Sequence, residues 1–348
     1  MSDSGNQPSV TFAIAAFNQE RFIREAVEGA FAQAFSPLEI VLSDDCSEDR
    51  TFEIMREMAA AYRGPHRVVL NRNPVRRSIG GHVNRVMEIS RGELIVGAAG
   101  DDVSLPQRTQ VCYEAWEASG RQATSIHASI IQIDESGQTI EQIFKQDCQL
   151  GAGEKVEQRV EPVAYVKTLE PIVFGCAHAF SRQLFRVFGN LPEALIHEDN
   201  VLALRSILAG RLLYVNQPLV KYRLHGNNAY VRSRSRGLDL ESLKRQEERF
   251  AREFRNRETM YEAFLADLEK AKQQGLLGGE DLERTVREAA RMRRRKSLQR
   301  QFLESGFLRK CRILSRLRRE GLTEPESKLL VRRLVPRSLL LRYRLVRG

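Results

Sequence analysis

Apolar positions in the first part of the chain switch between two periods. Val10 to Ala16 is a nearly continuous apolar run, the pattern of a strand buried on both faces. After it, Phe22, Ile23, Ala26, Val27, Ala30, Phe31 and Ala34 recur at helical spacing until Ser36 and Pro37 stop the helix. Leu38 to Leu42 predicts a second strand. A second helical stripe, Phe52, Met55, Met58, Ala59 and Tyr62, ends at Gly64 and Pro65, and Arg67 to Leu70 predicts a third strand. A loop over Asn71 to Gly81 leads to Val83, Val86 and Met87 on another helix, then Glu93 to Ala98 predicts strand four. This alternation is that of βαβ units feeding a mostly parallel sheet. Ser125 to Ile133 and Gln138 to Phe144 flank Asp134-Glu135-Ser136-Gly137, a turn composition between paired strands, so the sheet is expected to be mixed.

Beyond about Gly237 the strand pattern stops. Long charged helical stretches follow, Leu240 to Gln274 and Asp281 to Leu303, separated by Gly275, Gly278 and Gly279. Two regions are expected, an α/β body over 1–236 and a helical, basic region over 237–348. The net charge of +10 supports the division. Arg291 to Gly348 holds 19 Lys and Arg against 4 Asp and Glu, +15, leaving the rest of the chain at −5. At 348 residues and 42% apolar content, the chain is long enough for packed cores, which excludes disorder. No apolar run reaches the ~20 residues of a membrane span, and Met1 to Pro8 lacks the features of a secretory signal, so a cytoplasmic location is expected. The five cysteines are scattered and odd in number, without metal-ligand spacing, and are expected to be reduced thiols.

Ligands of open α/β sheets bind outside the carboxyl ends of the strands, so acidic residues placed there carry weight. Asp44-Asp45-Cys46-Ser47-Glu48-Asp49 follows strand two, and Gly100-Asp101-Asp102 follows strand four. Taken alone, the first cluster is better explained by a helix cap from Ser47 or Asp49, and the second reads as a polar turn; two clusters at one sheet edge weigh more than either. Adjacent carboxylates repel unless a cation or hydrogen-bond donors offset them, which makes a divalent metal a reasonable partner. Glu198-Asp199 opens an apolar helical run ending at Gly210, where negative charge also suits a helix N-terminus. His225 precedes a Gly-Asn turn after the strand-like Leu219 to Tyr222. Arg72, Arg76 and Arg77 follow strand three, where they could meet phosphate or simply solvent.

These segments, in this order, resemble glycosyltransferase family 2, inverting nucleotide-sugar enzymes of the GT-A fold. The likeness runs from Pro8 to Tyr230 and begins with Val10 to Glu20. Asp44 to Asp49 looks like the family's Asp-Asp-Gly-Ser-x-Asp motif with Cys46 in place of Gly. Gly100-Asp101-Asp102 is similar to the Asp-x-Asp region, with Ala99 where the first Asp usually stands. The resemblance implies an α/β GT-A body and a nucleotide-sugar donor site using Asp44, Asp45, Asp101 and Glu198. It implies Asp44 on the nucleobase, and Mg²⁺ or Mn²⁺ held through Asp101, Asp102 and His225. Asp199 would be the base that deprotonates an acceptor hydroxyl, the acceptor being a saccharide or lipid-linked saccharide of surface polysaccharide synthesis.

The basic region mixes Arg291, Arg293, Arg294, Arg295 and Lys296 with later stretches such as Leu330 to Val335 and Leu339 to Arg342. Such mixtures lie on anionic membrane surfaces, or serve as solvated helix faces or oligomer contacts. A nucleic-acid-binding role, or a non-catalytic nucleotide-sugar-binding role, is the alternative. Acidic clusters in a net-negative body and few aromatics in the tail argue against nucleic acid.

Overall fold

A computed structural model describes residues 9–144, 151, 153–226, 240–321, 330 and 334. The first half alternates as expected: β1 (Val10–Ala16), α1 (Ile23–Phe31), β2 (Glu39–Asp44), α2 (Thr51–Ala61), β3 (Arg67–Arg72), α3 (Ser78–Ile89) and β4 (Leu94–Ala99). It continues through β5 (Val103–Ser104), α4 (Arg108–Ala118), β6 (Ala123–Ile133), β7 (Thr139–Phe144), β8 (Lys155–Glu157), α5 (Pro162–Thr168), β9 (His178–Ser181), α6 (Gln183–Phe188), α7 (Glu198–Ala209) and β10 (Arg211–Arg223). Three helices follow, α8 (Leu240–Gln273), α9 (Gly279–Glu304) and α10 (Phe307–Arg319).

The strands form one mixed sheet in the order β3-β2-β1-β4-β9-β6-β10-β5, with β7 on β6 and β8 on β10. β1 pairs parallel with both β2 and β4, while β9 runs antiparallel between β4 and β6. Strand alternation sorts side chains between two layers. Phe12, Ile14, Ile40, Leu42, Leu94 and Val96 pack against α1, α2 and α4, while Ala13, Val41 and Ile95 face α3 and α5 to α9. Met260, Phe264 and Leu268 of α8, with Ala289 and Met292 of α9, belong to that second cluster, so the helical region shares a core with the sheet.

Several sequence boundaries shift, among them the start of the last strand, since β10 runs from Arg211 to Arg223 and not only from Leu219. The loop expected over Asn71 to Gly81 is shorter, because β3 runs on to Arg72 and α3 begins at Ser78. Strand β2, expected to end at Leu42, runs on to Asp44, since parallel pairing with Ala16 and Arg72 extends it. Among the described residues Cys46, Cys112, Cys176 and Cys311 are free thiols; Cys148 lies outside them. No helix among the described residues is long and apolar enough to cross a membrane.

Candidate active site

The carboxyl ends of β1, β2 and β4 lie side by side because the three strands are parallel and in register. The backbone N–H of Asp45 donates to Ala16 O at 2.9 Å, joining two of the ends. Between β4 and the acidic pair, Gly100 presses so closely on the β1 loop that a Cβ there would stand 2.5 Å from Gln19 Oε1 and 2.7 Å from the Ala16 Cβ.

The Asp44 to Asp49 loop is tied by its own side chains. Asp44 Oδ2 accepts from the Ser47 N–H at 2.9 Å, Ser47 Oγ from the Asn18 N–H at 2.9 Å, and Asp49 Oδ1 from the Thr51 N–H at 3.0 Å at the start of α2. Neither Ser47 nor Asp49 is the N-cap of α2, which is Arg50; Asp49 instead turns the chain into the helix through its contact to Thr51, while Asp44 and Asp45 are used otherwise. Cys46, where the family pattern has Gly, adopts φ +64°, the left-handed conformation Gly favours. Asp45 Oδ1 accepts from Asn73 Nδ2 at 2.8 Å and from the Arg77 N–H at 2.9 Å. Asp44 is wholly buried, 3.5 Å from Arg72 Nε, and its Oδ1 has no hydrogen-bond partner among the described residues.

A cavity of about 910 Å³ opens at this edge. Asp45, Asp101, Asp102, Glu198 and Asp199 all line it. Asp44 does not; it sits under the wall, next to Asp45. His225 reaches the group through Asp101, with Nε2 2.9 Å from Oδ2 and its ring 4.9 Å from that of Phe22. Asp102 Oδ1 accepts from the Arg223 N–H at 2.8 Å, and burial together with the adjacent Asp101 pushes its carboxyl up to about 8. Arg223 is itself fully buried, donating to the Asp101, Asp134 and Glu135 carbonyls and, at 2.8 Å, to Glu25 Oε2. It locks the end of β10 to the Asp101-Asp102 turn.

Glu198 and Asp199 stand at the first turn of α7. Burial pushes Asp199 up to about 6, opposed by the Asn200 N–H and side-chain amide that donate to its Oδ1 at 2.7 and 2.8 Å. Burial, then the neighbouring Asp199 charge, raises Glu198 well above the usual carboxylate range, and its Oε2 has no hydrogen-bond partner among the described residues. Burial thus raises both carboxyls of the pair, with hydrogen-bond donors opposing the rise at Asp199.

No three His, Cys, Asp or Glu side chains converge as a complete metal cage among the described residues. With Asp102 engaged by Arg223, the donor set left at the cavity edge is Asp101 with His225. The Asp101 carboxylate fits a hard cation completing its shell on diphosphate oxygens, the usual habit of Mg²⁺, with His225 orienting its Oδ2 as the softer partner.

Sequence reasoning did not reach Arg252 and Arg257 of α8, which line the same cavity, with Arg257 Nε 2.7 Å from Glu253 Oε1. On a helix with charge on every turn, no local signal sets them apart. Nor did it reach the Thr168 to Phe174 stretch, His178 or Tyr222, which complete the lining. Of the arginines singled out earlier, Arg72 pins Asp44 and donates to Ser47 O, Arg76 lies over the Phe17 ring at 3.9 Å in the cavity wall, and Arg77 stands 3.7 Å from Glu193.

Residues 11–188 match the family model described as glycosyl transferase family 2. The chain is 30% identical over 103 residues to the putative glycosyltransferase EpsE of Bacillus subtilis, spanning 30% of this chain and 36% of that protein. It is 33% identical over 129 residues to the succinoglycan biosynthesis protein ExoO of Rhizobium meliloti, spanning 36% and 35%. The matches thus cover about a third of the length of these curated relatives. Among solved structures, S. aureus TarS 1-349 in complex with UDP aligns with a TM-score of 0.56 at 14% identity, over 88% of this chain and 78% of that one. The mannosyltransferase PcManGT of Pyrobaculum calidifontis, in complex with GDP-Man and Mn²⁺, aligns with a TM-score of 0.51 at 16% identity, over 94% and 79%. At these identities the likeness is one of fold.

Proposed function

The chain belongs to glycosyltransferase family 2, and we propose on that premise that it moves a sugar from a nucleoside-diphosphate donor to a hydroxyl of a saccharide, free or lipid-linked, with inversion. Surface polysaccharide synthesis on the cytoplasmic side of a membrane is the proposed setting, supported by the likeness to ExoO. One observation carries the reading: carboxylates from three distant stretches, Asp45, Asp101-Asp102 and Glu198-Asp199, line a single cavity at the carboxyl edge of the parallel strands. UDP and GDP-Man in two solved proteins of the same fold support the donor class.

In this reading the donor lies along the β1-β2-β4 edge. Asp44, buried beneath the wall, supports this end of the site by holding the Ser47 N–H instead of meeting the nucleobase directly, and Asp45, which lines the cavity beside it, is the carboxylate nearest the base. Asp101 and His225 hold Mg²⁺ or Mn²⁺, which when bound offsets the charge of the diphosphate leaving group. Asp102, fixed by Arg223, sets the position of Asp101. Asp199 takes the proton from the acceptor hydroxyl as the oxygen attacks the anomeric carbon; the bond to the nucleoside diphosphate breaks in the same displacement, which inverts the centre. Glu198, its carboxyl pushed upward by burial and by the Asp199 charge, lines the cavity beside Asp199 on the donor side. The acceptor enters past Arg252 and Arg257.

Thermal-shift screening of UDP-, GDP- and dTDP-sugars with Mn²⁺ tests the reading. One nucleotide class should stabilise the protein, and Asp101→Ala should remove that effect. No shift with any nucleotide sugar would overturn it.

A further inference from the structure

Helix α10 is held to the body by one face. Ile313, Leu314 and Leu317 are buried in a small cluster with Leu298, Phe302 and Leu330. Away from that cluster Arg309, Arg312, Arg316, Arg318 and Arg319 are exposed, and none forms an ion pair with the described residues. The helix has no Asp or Glu. At its first turn Phe307 and Leu308 are 60% and 77% exposed, among the described residues the only exposed large hydrophobics adjacent in sequence.

The more obvious basic run is committed elsewhere. Arg291 to Lys296 lies within α9, where Arg293 pairs with Glu262 at 2.7 Å and Arg295 and Lys296 are buried. Nearby Arg300 pairs with Glu258 and Glu304. The stretches Leu330 to Val335 and Leu339 to Arg342 fall almost wholly outside the described residues. Among the described residues of the helical region, unpaired positive charge is therefore concentrated on α10.

We propose that α10 docks the protein on an anionic lipid surface, with Phe307 and Leu308 entering the boundary between headgroups and acyl chains and the arginines lying against lipid phosphates. Both features are needed for the choice. A nucleic acid would use the guanidinium groups and leave the Phe-Leu tip in water. A second copy of the chain would cover the tip only by bringing like charges together. A lipid surface satisfies both at once, because an apolar layer lies directly beneath a layer of phosphates.

The test uses the full chain with phosphatidylcholine vesicles, with and without phosphatidylglycerol. Co-sedimentation is expected only with phosphatidylglycerol present, weakening as salt is raised. The exposed pair Phe307→Ser/Leu308→Ser should lower the bound fraction roughly tenfold, and Arg312→Glu/Arg316→Glu should abolish binding, each with unchanged Tm. The chain has a single tryptophan, Trp116, which is buried, so emission from Phe307→Trp reports on the tip, and it should shift to the blue on the anionic vesicles. No binding to anionic vesicles, or binding indifferent to the Phe-Leu pair, overturns the proposal. So does preferential binding of duplex DNA, or a lipid-independent dimer that dissociates in Phe307→Ser/Leu308→Ser. Vesicle binding is read without donor or acceptor, so failure here leaves the transferase reading intact.

Discussion

His225 Nε2 stands 2.9 Å from Asp101 Oδ2 across 124 residues of sequence. Two residues before it, Arg223 holds both members of the acidic pair, by its N–H on Asp102 Oδ1 and its Nε on the Asp101 carbonyl. The last strand of the sheet thereby orients the group proposed to face the donor diphosphate.

His225→Ala removes one member of this pair without touching the buried Arg223 anchor. Donor affinity in Mn²⁺ should fall ~10- to 100-fold, the usual cost of losing a group that ligates or orients a metal ligand. Calorimetric titration of the donor identified by thermal shift measures it, and an unchanged Kd would detach His225 from the donor site.

Asp199→Asn keeps the size and most of the hydrogen bonding of the side chain but cannot accept a proton. Turnover should drop at least ~100-fold, with donor binding preserved. Transfer at the native rate would remove Asp199 from the role of base.

The pH dependence follows from the same carboxyl. Burial raises it from the usual 3.8 to about 6, and the base acts only when ionised, so kcat/KM should rise with pH through about 6 and level off above. Stability moves the other way. A carboxyl whose folded-state value lies above its unfolded value favours the folded state most when protonated, so this contribution is present below about 3.8 and lost as pH rises through about 6. A kcat/KM profile flat from pH 5 to pH 8 would contradict the assignment.

Arg205 of α7 and Asp267 of α8 form a buried ion pair, with Nε 2.7 Å from Oδ2 and Nη2 3.1 Å from Oδ1. Removing one partner leaves the other charged and without water. Asp267→Ala should cost on the order of 3 to 5 kcal/mol, read by denaturant unfolding. Because α8 shares the core beneath α7, wild-type unfolding should be a single transition for the body and the helical region together. A separate early transition for the helices, unaffected by Asp267→Ala, would show that the shared core is not cooperative.

The alternating runs along the chain sufficed to place β1 to β4, the turn at Asp134 and the long helices, because burial on a strand or helix repeats with a period that local sequence must obey. The acidic residues after the parallel strands were legible for the same reason: an open parallel sheet has one ligand-facing edge. The cavity's other wall was not. Arg252 and Arg257 look like any solvated charges of a long helix, and Arg205, Asp267 and Lys296 look exposed until α7, α8 and α9 close over them.

From sequence alone came the order of elements from β1 to β4, the expectation of a mixed sheet and the candidate carboxylates, all properties of periodicity and of position along a strand. Which carboxylates share a cavity, which arginines are spent inside the fold and which remain free on α10 was decided only by tertiary packing. Burial and charge pairing are relations between residues far apart in the chain, and neither leaves a local trace.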